Sequence, residues 1–198
     1  FDFLLLKLIF IDGPGGTGKS YLNNVALDYV RSKGNIALGV SSSGVASLLL
    51  HDGKTAHSQF KIPLNVDNFS TCNITRSSNL GKLLKETKMI IWDEITMMNK
   101  DCFSALDKTL CDLTGLPDFG GIVMIFTGDW RQTLPVVKRG NEAQIVHACV
   151  GTAPFWSNCN VTAFLEMRTV PNIALKQYFS FVPHSNLEQM PFSDSHIN

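Results

Sequence analysis

An apolar run from Phe3 to Ile11, broken only by Lys7, stops at Asp12 and gives way to Gly13-Pro14-Gly15-Gly16-Thr17-Gly18-Lys19-Ser20. A strand apolar along its whole length is buried on both faces, which is the position of a central strand in a parallel sheet. The octet fits G-x-x-x-x-G-K-[ST], and Leu22, Val25, Ala26, Tyr29 and Val30 then recur on one helical face up to about Lys33, with Gly34 as the stop. Strand, glycine turn and helix in direct succession are what a phosphate cradle needs. Glycines let the backbone wrap an anion without Cβ clashes and turn several N–H groups inward, and the helix N-terminus adds its dipole. In this pattern Lys19 reaches the terminal phosphates and the Ser20 hydroxyl ligates magnesium, so ATP and Mg2+ are the expected ligands.

The rest of the chain alternates in the same way. Strands are expected at 35–41, 89–92, 122–126 and 161–165, and helices at 19–33, 80–88 and 101–113, with a further helical stretch at 141–150. Residues 52–78 read as loop with a short helix near His57, and GLPDFGG at 115–121 punctuates. Alternation of this kind predicts an α/β fold with a mostly parallel sheet and helices on both faces.

Three further stretches carry chemistry. Met89 to Trp92 ends in Asp93 and Glu94. This pattern predicts Asp93 beside the phosphate loop, on an adjacent strand, holding magnesium, with Glu94 placed to deprotonate an attacking water. An acidic pair opening the next helix is the competing reading. Thr127-Gly128-Asp129-Trp130-Arg131-Gln132 closes another strand and faces the same crevice, with Gln132 as a candidate sensor of the terminal phosphate. Ser41 to Ala46 and Thr55 to Pro63 combine small hydroxyls, a lysine and an aromatic, which suits a single-stranded nucleic-acid backbone. Taken alone, the second of these reads better as a surface loop with Phe60 tucked into the core.

Composition narrows the class. The chain has 198 residues with 44% hydrophobic, enough for one domain with a sizeable core. Lys plus Arg equals Asp plus Glu at 17 each, so any nucleic-acid contact must come from a local groove. Five scattered cysteines form no CxxC pair, which excludes a zinc module, predicts no structural metal and fits a reduced intracellular setting. The N-terminal run lacks a basic leader and is too short for a membrane helix, so no membrane association is expected.

Taken together, IDGPGGTGKSYL, IALGVSSSGVASLLL, TAHSQFKIPLN, STCNI, IIWDEITMMNK, ALDKTL, FGGIVMIFTGDWRQTLPVV and FLEMR resemble the Pif-one family of ATP-dependent DNA helicases, nearest to the Helitron type, over about residues 9–168. The resemblance implies a first RecA-like ATPase lobe over 1–168, with 169–198 an unassigned tail. It implies five-prime to three-prime movement on single-stranded DNA driven by ATP, a nuclear setting and work in genome maintenance (repair, recombination, telomere maintenance). By the same likeness Lys19, Glu94, Gln132 and Arg168 are catalytic, Ser20 and Asp93 serve the metal, and Ser42, Ser43, Gly44, Thr55, His57, Ser58, Phe60 and Lys61 line the DNA path. A second RecA-like lobe is expected as the missing partner. Where relatives carry Asn-Met-Arg, this chain has Glu166-Met167-Arg168, and the adenine-contacting glutamine segment of relatives is not matched.

Two other readings remain compatible with the residues. One is a degenerate fragment that binds nucleotide without turning it over. The other is a different phosphate-loop class, although the guanine motif, the arginine-rich lid and the ABC signature are not matched.

Overall fold

The computed structural model describes residues 7–132 and 134–163. The expected strand portions at 3–6 and 164–165, Arg168 and the tail lie outside the described residues. In chain order the elements are β1 (Leu8–Asp12), α1 (Lys19–Ser32), β2 (Ile36–Ser41), α2 (Gly44–Ser47), β3 (Lys54–Thr55), α3 (Ala56–Phe60), α4 (Asn79–Glu86), β4 (Thr87–Asp93), α5 (Lys100–Thr114), the irregular turn α6 (Pro117–Gly120), β5 (Val123–Gly128), α7 (Glu142–Ala148) and β6 (Asn160–Ala163). The strands form one sheet in the order β3-β2-β4-β5-β1-β6, and every described pairing is parallel.

Side-chain alternation splits the core into two layers. Phe10, Val40, Ile90, Trp92, Met124 and Phe126 point to one face, where α5 supplies Phe103, Leu106 and Leu110. Ile11, Ala37, Met89, Ile91 and Ile125 point to the other, where α1 supplies Leu22, Ala26 and Leu27. A residue pattern apolar at every position is thus a strand covered twice, as a parallel sheet requires. On β2, Gly39 makes room for α1: a Cβ there would lie 2.9 Å from Leu27 Cδ1. The α5 face is aromatic, with Trp92 and Phe103 ring centroids 4.4 Å apart and Phe126 and Phe155 at 5.4 Å.

The helices begin where polar caps allow. Ser78 accepts from Gly81 N–H at the start of α4, Asn99 from Asp101 N–H at the start of α5, and Asn141 forms a reciprocal capping box with Gln144 at the start of α7. Gly115, in left-handed backbone, closes α5.

Three expectations are corrected. A two-residue strand, β3, lies in the stretch expected to be loop, pairing Val40 with Lys54 and Ser41 with Thr55 at the sheet edge. The helix expected over 80–88 ends at Glu86, because Thr87 and Lys88 already belong to β4. The strand bearing Asp93 is not adjacent to the strand preceding the glycine loop, since β5 lies between them.

Candidate nucleotide site

The carboxyl ends of β1, β5 and β4 lie side by side, and three polar loops leave from them. In a parallel sheet this edge is where ligands are taken up. The glycine loop leaves β1, anchored by Gly13 N–H donating to Gly128 O of β5 at 3.1 Å. Gly16 (φ +78°) and Gly18 (φ +94°) take left-handed backbone that a side chain would strain. Thr17 turns inward, its hydroxyl donating to Pro14 O at 2.8 Å. Lys19 is buried with its ammonium donating to Gly13 O at 2.6 Å and Pro14 O at 3.0 Å, so its charge is held against the inside of the loop. Ser20 follows, half-buried, in the first turn of α1.

The acidic pair reaches this loop across the intervening strand. Asp93, 2% exposed, accepts from Thr127 Oγ1 at 2.5 Å and from Glu94 N–H at 3.0 Å, both through Oδ1. Thr127 is on β5, so the strand between supplies the link. Burial pushes the Asp93 carboxyl above the ordinary aspartate range, against the opposing pull of Thr127, Glu94 N–H and the Lys19 charge. Glu94 adopts left-handed backbone (φ 56°, ψ 42°) where the chain leaves β4, and its Oε2 is buried without a hydrogen-bond partner among the described residues. Its carboxyl is also raised, first by burial and then by the neighbouring Asp93. A strained, unpartnered carboxylate beside a cationic loop is the kind of feature that marks reactive sites.

The third loop leaves β5. Asp129 accepts from Arg131 N–H at 2.9 Å and from Gln132 Nε2 at 3.2 Å, and these donors hold its carboxyl below the ordinary range. Gln132 lies over the glycine loop: a Cβ added to Gly15 would be 3.6 Å from its Nε2. The Lys19 charge opposes the rise of the Asp93 and Glu94 carboxyls and adds to the lowering at Asp129, so it acts on all three loops.

The segments read as a DNA path sit further along the same edge, at the ends of β2 and β3. Ser42 N–H donates to Asp93 O at 3.1 Å, and its hydroxyl accepts from Trp92 Nε1 at 3.2 Å. Ser43 and Thr55 cap α2 and α3, accepting from Ala46 N–H and Ser58 N–H. His57 Nδ1 lies 3.1 Å from Ile62 O. Gly44, Ser58 and Lys61 are exposed. Phe60 is the correction: it is 0% exposed, with its ring 5.9 Å from that of Trp92, so it belongs to the core and cannot stack on bases. Its α3 helix turns it inward because Ala56, Gln59 and Phe60 form the buried face.

Asn23 and Asp12 were not singled out in the sequence. Asn23 is fully buried on α1 and donates from Nδ2 to Thr127 Oγ1 at 3.1 Å. Its signal was a polar residue between the inward-facing Leu22 and Ala26. Asp12 Oδ1 accepts from Trp130 N–H at 3.3 Å, pinning the β5 loop to β1, and nothing in the local sequence announces that.

The fold and the converging loops define an α/β domain of the RecA-like phosphate-loop class. A family model for the PIF1-like helicase matches residues 4–177, and the chain belongs to that family of ATP-dependent DNA helicases. It is 30% identical over 139 residues to the ATP-dependent DNA helicase Pif1 of Psychrobacter sp., which covers 69% of this chain and 21% of that protein. It is 27% identical over 202 residues to Pif1 of Campylobacter jejuni, covering 96% and 42% respectively. A solved structure of Bacteroides Pif1 in complex with ADP-AlF3 and single-stranded DNA superposes with a TM-score of 0.70 at 22% identity, over 91% of this chain and 43% of that one. The chain thus spans less than half the length of these relatives. Among the described residues, no helix is long and apolar enough to cross a membrane.

Proposed function

We propose that this chain binds ATP with Mg2+ at the converging loops and hydrolyses it. In the whole enzyme, turnover would drive five-prime to three-prime movement along single-stranded DNA, in the nucleus and in the service of genome maintenance. The observation that carries this is that the loops bearing Lys19, Asp93, Glu94 and Gln132 leave neighbouring strands at one sheet edge and are tied together by the Gly13–Gly128 and Thr127–Asp93 hydrogen bonds. The Bacteroides relative holding ADP-AlF3 and single-stranded DNA supports both ligands.

The donors suit magnesium. Ser20 and Asp93 offer hard oxygens, and Oδ2 of Asp93 is left over after Oδ1 has taken both of its hydrogen bonds. Among the described residues no group of three or more His, Cys, Asp or Glu could hold a metal unaided, so phosphate oxygens would complete the shell. When bound there, Mg2+ would supply neutralisation of phosphate charge.

The chain's own residues would do the following. Backbone amides of the glycine loop orient the phosphates, and Lys19 exchanges the Gly13 and Pro14 carbonyls for a phosphate oxygen. Glu94 Oε2 takes the proton of the attacking water, its basicity raised by burial and by Asp93. Gln132 Nε2 contacts the terminal phosphate or that water. Ser42, Ser43, Gly44, Thr55, His57, Ser58 and Lys61 would carry the DNA strand beside this site. Residues of a second lobe would close over it, and an arginine from such a partner is worth about a thousandfold or more in rate. Without such a partner, turnover would be slow.

Titrating a fluorescent ATP analogue with and without Mg2+, then measuring turnover with added single-stranded DNA, tests the reading. Magnesium-dependent binding and DNA-stimulated hydrolysis that Glu94→Gln removes are expected. Wild-type chain that binds no nucleotide would end it. Tight binding without turnover under any DNA would instead favour a nucleotide-binding fragment with no enzymatic output.

A further inference from the structure

Asn23 is the one fully buried polar residue that the proposed chemistry leaves unused on the inner face of α1. Its neighbours on that face, Leu22, Ala26 and Leu27, are apolar core residues. A side chain chosen for packing alone would be apolar here as well, because a buried amide must find partners or lose stability. Asn23 finds one: Nδ2 donates to Thr127 Oγ1 at 3.1 Å, while Oδ1 has no hydrogen-bond partner among the described residues.

The polarity of this contact is fixed by what lies beyond it. Asp93, as a carboxylate, can only accept, and Thr127 Oγ1 is 2.5 Å from its Oδ1. Thr127 must therefore spend its single proton on Asp93. Only lone pairs are left to face α1, so the group opposite has to be a donor. Asn23 meets that need with an amide N–H, and a leucine could not. The chain Asn23–Thr127–Asp93 ties α1 through side chains to the paired strands β5 and β4. It also saturates one oxygen of Asp93, because Oδ1 accepts from Glu94 N–H as well.

We infer that Asn23 is a positioning residue for the metal-facing carboxylate. It fixes the hydroxyl direction of Thr127, so that Oδ1 of Asp93 is held on the protein side and Oδ2 is presented toward the Mg2+–nucleotide. Groups one step behind a metal ligand typically change metal affinity by about ten- to a hundredfold when removed. This inference rests on the proposed Mg–ATP site.

The test is Asn23→Leu in the full chain, read in three ways: affinity for a fluorescent ADP in EDTA, the gain in that affinity on adding Mg2+, and the melting temperature without ligand. A positioning role predicts unchanged affinity in EDTA, a magnesium-dependent gain reduced about tenfold, and a melting temperature equal to or above wild type. Asn23→Ala, which cannot overfill the site, should show the same selective loss. Mn2+ binding in the presence of ADP, followed by electron paramagnetic resonance, gives the metal affinity independently of any turnover. Wild-type magnesium dependence in both variants would overturn the inference, as would equal losses with and without Mg2+, which mark a structural residue. Asp93→Asn separates the two failures. If wild type and Asp93→Asn bind alike with Mg2+, the site reading itself is wrong and the inference falls with it.

Discussion

Neutralising Asp93 should make the protein more stable while removing its metal chemistry. The carboxylate is 2% exposed, and taking such a group out of water costs several kcal/mol. Against that stand two hydrogen bonds, from Thr127 at 2.5 Å and Glu94 N–H at 3.0 Å, and the more distant Lys19 charge. The amide introduced by Asp93→Asn would keep both bonds to its carbonyl oxygen, each weakened by about 1 kcal/mol on loss of the charge. The upward direction of the Asp93 pKa shows which side wins, because it means burial outweighs the bonds. The net gain for Asp93→Asn is then about 1–3 kcal/mol at pH 7, or roughly 3–10 °C in melting temperature for a chain of this size.

The pH dependence follows from the same shift. The folded chain holds the Asp93 proton more tightly than the unfolded chain does. The penalty is therefore absent below the ordinary aspartate range, grows as pH rises toward the folded-state value, and is complete above it. Thermal denaturation of wild type and variant in EDTA, across a pH series, measures the difference. Stabilisation at pH 7 that shrinks toward low pH is expected. A variant that melts below wild type at pH 7 would refute the reasoning, since the hydrogen bonds would then outweigh desolvation.

Other predictions follow from the same geometry. Glu94→Gln should leave nucleotide binding intact and slow turnover by about a hundredfold or more, and the acid limb of the wild-type pH–rate profile should lie above the ordinary glutamate range because burial and Asp93 raise that carboxyl. Lys19→Ala should abolish magnesium-nucleotide binding in a fluorescence titration while circular dichroism stays native, since among the described residues the ammonium hydrogen-bonds to loop carbonyls alone. Phe60→Ala should cost about 3–5 kcal/mol in denaturant unfolding, whereas loss of DNA affinity at unchanged stability would restore Phe60 to the DNA path.

Much of this fold was legible because its signals are local. The run ending at Ile11, the glycine octet and the helix after it each declare their conformation within a dozen residues, and the two-sided core confirms that Phe10 and Ile11 face opposite layers. Strand order is different, because no residue pattern states that β5 lies between β1 and β4. Thr127 was visible only as part of a polar turn, and its bond to Asp93 depends on that order. β3 escaped notice because two residues, Lys54 and Thr55, cannot display a period. Phe60 lies in a polar stretch where a short helix is expected near His57 and α3 forms, but the face it buries is set by contact with Trp92, far away in sequence. Asn23 was hidden by its own helix, where one polar residue on an apolar face reads as noise until its partner is known.

The central claim is that the loops after β1, β4 and β5 form one pocket for a triphosphate and its metal. A crystal structure of the chain with Mg2+ and a non-hydrolysable ATP analogue tests it most directly. The account predicts the phosphates within the Gly13–Ser20 turn, the ion between Ser20 and Oδ2 of Asp93, and Glu94 and Gln132 beside the terminal phosphate. Nucleotide bound elsewhere on the chain, or an ion out of reach of Asp93, would contradict it.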